Sequence, residues 1–107
     1  MSTEEFQIDS LEILVKSRYL RIERNVNYHS IHGHGELDLV GLLPDYSWDV
    51  YEVKSNSKQS LINKAYRQLK RARKAWERRV NKTFIYIAST GNIIDSEDSR
   101  GDSYEYR

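Results

Sequence analysis

The stretch that decides the fold is Gly35–Lys54, GELDLVGLLPDYSWDVYEVK. Two apolar runs flank a turn, and acidic residues interrupt both runs. Residues i and i+2 of a strand share a face. Glu36, Asp38 and Val40 are therefore expected on one face of the first run, and Trp48, Val50, Glu52 and Lys54 on one face of the second. Between them, Gly41–Ser47 contains Pro44-Asp45, a turn signal. The segment predicts an antiparallel hairpin whose acid-bearing faces coincide, bringing Asp38, Glu52 and Lys54 together. Carboxylates in apolar strands are costly unless they are paired or bound to a cation. Mg²⁺ takes oxygen ligands, typically one or two carboxylates plus water and substrate phosphate.

Working outward, Thr3–Lys16 has the pattern of an amphipathic helix. Phe6, Ile8, Leu11, Leu14 and Val15 form its stripe, Thr3 is a candidate cap, and Glu4 and Glu5 sit in the first turn. Tyr19–Val26 alternates as a first strand. Asn27–His34 is a polar loop with His29, His32 and His34. Its spacing permits a zinc reading, but a substrate contact or a solvated loop is expected instead. After the hairpin, Ser57 or Ser60 is a candidate cap for a helix over Leu61–Val80. There Leu61, Ala65, Leu69, Ala72, Trp76 and Val80 recur every three or four residues. Thr83–Ala88 (TFIYIA) reads as a buried fourth strand. Residues 1–95 thus form one domain. Residues 96–107 form an acidic polar tail, either disordered or adding an edge strand through Tyr104 and Tyr106.

The chain has 107 residues, enough for one modest core. It has no cysteine, which excludes disulfides and thiolate metal sites. No apolar run approaches the ~20 residues needed to span a bilayer, and the polar, acidic start does not resemble a secretory signal; a cytoplasmic protein without membrane contact is expected. The net charge of +1 conceals segregation: Lys64–Lys82 holds nine Lys/Arg and one acid, whereas residues 1–12 hold four acids and no Lys or Arg. A nearly neutral chain can still present a basic face to a polyanion.

Asp38 followed by Glu52-Val53-Lys54 resembles the D…(D/E)xK signature of the PD-(D/E)xK nuclease superfamily. Gly35–Val40 is similar to the GEIDLI-type strand of its small members, the archaeal Holliday junction resolvases and related RecB-like nucleases. Leu37, not Pro, precedes Asp38. The expected order, helix, three strands, helix, strand, matches the superfamily's αβββαβ core. The expected fold is therefore α/β and restriction-endonuclease-like, with a mixed central sheet flanked by helices. The resemblance covers about residues 1–90.

The resemblance implies a metal-dependent nuclease hydrolysing DNA phosphodiester bonds, structure-selective in the manner of a junction resolvase. Asp38, Glu52 and the Val53 carbonyl are the implied ligands of Mg²⁺ or Mn²⁺, and Lys54 acts at the reacting phosphate. Gln68 resembles the Gln of the second-helix motif that helps orient the site. A helix-1 acid completes the set, Glu12 in preference to Glu5; Glu36 is a secondary candidate. Lys58, Arg67, Lys70, Arg71, Lys74, Arg78 and Arg79 are candidate phosphate contacts, and Tyr66 a candidate stacking residue. A junction-resolving enzyme implies a homodimer, for which Leu42-Leu43, Tyr46, Trp48, Tyr104 and Tyr106 are candidate contacts. The alternatives are a noncatalytic DNA-binding module and an assembly subunit that retains the fold.

Overall fold

The computed structural model describes residues 3–98. Helix α1 spans Thr3–Val15 and runs into a 3₁₀ turn, Lys16–Arg18. Strands β1 (Arg21–Ser30), β2 (Gly33–Leu42) and β3 (Trp48–Lys54) follow, then α2 (Gln59–Ala75), β4 (Val80–Ile87) and β5 (Asn92–Asp95). The five strands form one sheet in chain order. β3 and β4 pair parallel across the α2 crossover, and the other neighbours pair antiparallel. The result is a compact α/β domain with a mixed sheet between two helices.

Strand alternation builds two cores. Ile8, Leu11 and Val15 of α1 pack on Leu39, Tyr51, Val53 and Tyr86. Ala65, Leu69 and Ala72 of α2 pack on the other face against Val40, Val50, Ile85 and Ile87. Trp48 and Val50 belong to the α2 side, while Tyr51 and Val53 face α1. Glu52 thereby falls on the α2 side of β3. Burying side chains of this size contributes about 1.5–3 kcal/mol each before entropy is charged.

The end of β3 remote from Glu52 is held by a polar network. Tyr19 Oη donates to Asp49 Oδ2 (2.7 Å) and lies 2.6 Å from Tyr51 Oη. Asn81 Nδ2 and the Lys82 amide donate to Asp49 Oδ1 at 3.0 and 3.1 Å. Burial raises the Tyr19 hydroxyl above its ordinary range, and its hydrogen bonds to Tyr51 and Asp49 reinforce this. Gly41 makes room for the Tyr19 ring: a Cβ there would lie 2.5 Å from ring carbons.

Several expectations change. β1 continues to Ser30, and β2 begins at Gly33, so the expected histidine loop is mostly hairpin. His29 pairs with His34 across it. Helix α2 ends at Ala75 because Trp76 turns extended (ψ 133) and tucks its ring against Trp48, with centroids 5.8 Å apart. Arg73 then holds the Val80 and Asn81 carbonyls at 3.0 and 2.7 Å, which carries Val80 into β4. The helical spacing of Trp76 and Val80 is coincidental. Lys58 occupies the N-cap position without a side-chain cap, and Ser60 lies inside the helix. Phe6 and Leu14 lie outside the α1 stripe, 63% and 54% exposed. Trp48 and Leu42 belong to the core and its margin rather than to a free surface. The edge strand that follows β4 is β5, opposite the β1 edge; Tyr104 and Tyr106 lie outside the described residues.

Candidate active site

The β2–β3 ladder pairs Leu39 with Tyr51 but goes no further toward Asp38. Beyond that point the Asp38 side chain takes over: the Val53 amide donates to Asp38 Oδ2 at 2.8 Å. The β1–β2 ladder also skips Asn25 and Asp38, and Asn25 adopts φ 50. Alternation breaks here. Leu37 joins the α2-side core together with Val40, while Leu39 joins the α1-side core. A shared face for Glu36, Asp38 and Val40 is therefore replaced by a kink at Asp38. Glu36 lies exposed beyond the kink, where its charge still raises the Glu52 carboxyl.

Glu52 is 1% exposed. Asp38 and Glu52 lie within hydrogen-bonding reach of each other. Burial, followed by the Asp38 charge, pushes Glu52 up to about 9, with Lys54 opposing. Burial also raises Asp38, against the pull of the Val53 amide. A buried and a half-buried carboxyl this close resist ionising together without a compensating cation, so the pair favours holding a proton.

Two buried oxygens have no hydrogen-bond partner among the described residues, Glu52 Oε2 and Gln68 Oε1. Buried polar atoms are nearly always satisfied, so such atoms call for a ligand. The donors on offer are carboxylate, amide and carbonyl oxygens, which suit a hard divalent cation. No group of three or more His, Asp or Glu residues able to hold a metal occurs among the described residues. Two carboxylates without a protein cage suit Mg²⁺, which keeps waters and substrate oxygens in its shell.

Lys54, at the end of β3, borders a depression of about 330 Å³ also lined by Glu4, Gln7, Val53 and Ser55. Gln7 Nε2 donates to Ser55 Oγ across its floor at 3.5 Å. The α1 acid that bears on the pair is Glu4, whose charge raises Asp38. The expected Glu12 is committed elsewhere: Arg24 Nε lies 2.7 Å from it and Arg24 Nη1 lies 2.5 Å from Asp9. Glu4 went unnoticed because helical spacing does not tell which turn of α1 crosses the end of β3. Its place in the first turn, before the buried stripe begins at Ile8, carried no signal of its own.

The cationic residues divide into groups. Lys64, Gln68 and Arg71 follow one another at i, i+4 and i+7, a single row on α2. Gly33 meets this row at the hairpin: a Cβ there would lie 3.3 Å from Arg71 Cγ and Cδ. Arg67 and Lys70 line a groove of about 370 Å³ on the opposite flank, with Thr83 and Ser96. Lys58 and Lys74 are exposed. Arg78 and Arg79 both make contacts within the protein. Arg78 stacks on Trp48 (4.6 Å) and Trp76 (5.2 Å) and pairs with Glu23 at 3.2 Å. Arg79 donates to the Asp45 carbonyl at 2.7 Å.

None of the described helices is long and apolar enough to cross a membrane. Comparison with protein-family models and with curated proteins finds no match to this chain.

Proposed function

We propose that the protein is a metal-dependent nuclease that hydrolyses DNA phosphodiester bonds at the Asp38–Glu52 pair. The observation that carries this reading is the Asp38–Glu52 carboxyl pair, with Glu52 buried and its Oε2 without a hydrogen-bond partner among the described residues. A purely structural acid pair is better satisfied on a solvated face, where charge pairs contribute about 0.2–1 kcal/mol.

Asp38 and Glu52, with the Val53 carbonyl, are the groups that would hold Mg²⁺ or Mn²⁺. When bound, the ion supplies an acidified water and polarises the phosphate. The protein's own contributions follow from its geometry. The Val53 amide fixes the rotamer of Asp38. The core around Glu52 excludes bulk water and strengthens electrostatic interactions at the pair. Lys54, whose charge bears on Glu52, supplies a positive charge to a phosphate building up negative charge in the transition state. Gln68 offers an amide oxygen from α2, and Glu4 adds a carboxylate from α1. Lys64, Arg71, Lys74 and Lys58 neutralise backbone phosphates without reading sequence.

The restriction-endonuclease-like assignment of this sheet belongs to the same proposal. So does the junction-selective form, which brings a homodimer with it, because paired cuts need two sites at fixed spacing. The test is cleavage of linear duplex, single-strand, flap and four-way-junction DNA in Mg²⁺, Mn²⁺ or EDTA. Metal-dependent cleavage is expected, with branched forms cut preferentially. DNA binding without cleavage in either metal would replace the enzyme with a binding module.

A further inference from the structure

The β1–β2 hairpin overhangs the sheet. Its pairing continues to Ser30↔Gly33, but β2 residues 33–38 have no ladder partner on β3. The overhang starts at Asp38 and runs seven residues to Ile31, about 20 Å in extended chain. It is braced along its length. Tyr28 is buried in the α2-side core with Leu37, and Val26 packs against that core. Near the tip, Gly33 closes on Arg71 and Ala75.

The turn itself is unusual in composition. Two-residue hairpin turns favour Asn, Asp and Gly, which reach positive φ easily. Here the turn residues are Ile31 and His32; neither has positive φ, and Gly33 takes it at 139. The His32 amide is tied to Ser30 Oγ at 3.1 Å. Ile31 is 95% exposed, so its side chain contributes nothing to the core. A β-branched apolar residue is thus presented at the end of a rigid arm. Around it stand His29, His32 and His34, with Glu36 the one acid of residues 25–37. Near its tip the arm lies against Arg71, the last residue of the Lys64–Gln68–Arg71 row of α2.

We infer that this hairpin is a DNA wedge: Ile31 enters an opened base step at a branch point while Lys64 and Arg71 hold the adjoining phosphates. The inference rests on the nuclease reading for its choice of partner, and it names the feature of that partner that is recognised. Apolar side chains that enter base steps unstack them at a cost of a few kcal/mol, recovered through added contact. A branch point is already partly unstacked, so the cost there is lower. The chain between Ile31 and Asp38 spans at most about 20 Å, which puts the disrupted step within roughly six base pairs of the cut along a duplex.

The test uses flap and four-way-junction DNA carrying 2-aminopurine at the branch, titrated with the full chain in EDTA so that no strand is cut. Wild-type protein should raise the fluorescence of the branch base and leave a mid-duplex 2-aminopurine unchanged. Ile31→Ser should abolish the rise and weaken branched-DNA binding about tenfold, the worth of one buried aliphatic side chain. It should leave linear-duplex affinity, far-UV circular dichroism and melting temperature as they were. Ile31→Leu should retain the rise. The inference is overturned if wild type binds without a rise, if it binds no DNA, or if Ile31→Ser behaves as wild type. Loss of the nuclease reading would show separately, as no metal-dependent cleavage while the fluorescence rise persists.

Discussion

The Val53 amide donates to Asp38 Oδ2 across 2.8 Å, at the position where β2 and β3 cease to pair. One side chain thus serves as a backbone acceptor and as half of the carboxyl pair with buried Glu52. Asp38→Asn keeps an acceptor oxygen, and Asp38→Ala removes it. Urea unfolding should find Asp38→Asn within about 1 kcal/mol of wild type and Asp38→Ala destabilised by about 1–3 kcal/mol. Equal stability of the two variants would show that the Val53 bond does not hold the kink.

Glu52 carries a pH signature. Its folded value of about 9 lies above the ordinary 4.5, so between these values the folded state holds more protons than the unfolded state. Stability from this group is therefore full below pH 4.5 and is lost as pH rises through about 9. Glu52→Gln cannot ionise and escapes that loss. Without metal, its melting temperature should exceed that of wild type increasingly from neutral to alkaline pH, and urea unfolding at the top of the range should find it more stable by roughly 1–3 kcal/mol. Parallel pH profiles for the two proteins would contradict a buried, protonated Glu52.

The cationic residues should separate by role. Arg78→Ala removes stacking on two Trp rings and should cost about 1 kcal/mol of stability, while leaving the salt dependence of DNA binding unchanged. Lys64, Arg71 and Lys74 replaced together by Ala should weaken binding to all sequences. The salt slope should then fall by about 0.9 per lost phosphate contact. A slope that moves with Arg78 and not with the triple variant would reverse the assignment.

Lys54 follows Glu52 by two residues on β3, and its charge opposes the rise of the Glu52 carboxyl. Lys54→Ala should therefore lower kcat by about a hundredfold or more, the scale of losing one transition-state charge partner, with little change in DNA affinity measured in EDTA. If affinity falls and the turnover of bound DNA does not, Lys54 belongs with the binding residues.

The hairpin and the pairing of Asp38 with Glu52 were legible in the sequence because two apolar runs with acids at matching phase have few arrangements. The α2 stripe was legible for the same reason, through Ala65, Leu69 and Ala72. Its end was not. Trp76 and Val80 continue the helical spacing, and only their contacts with Trp48 and Arg73 turn the chain. The kink at Asp38 was hidden as well, since it depends on a side chain replacing a ladder bond. Among charges, spacing alone cannot separate Arg78, stacked on two Trp rings, from Arg71 beside the hairpin. Between Glu5 and Glu12, spacing favours Glu12 for its place near the helix end beside apolar Leu11 and Ile13, a criterion blind to the ion pair it makes with Arg24 of β1.

The most direct measurement is cleavage of one labelled DNA substrate by wild type, Asp38→Asn and Glu52→Gln, side by side in Mn²⁺ and in EDTA, with folding checked by circular dichroism. Cleavage by wild type in Mn²⁺ alone is predicted, with both variants folded, still binding DNA, and inactive. Undiminished cleavage by both variants, or wild-type cleavage in excess EDTA, would contradict a metal-dependent reaction at the Asp38–Glu52 pair.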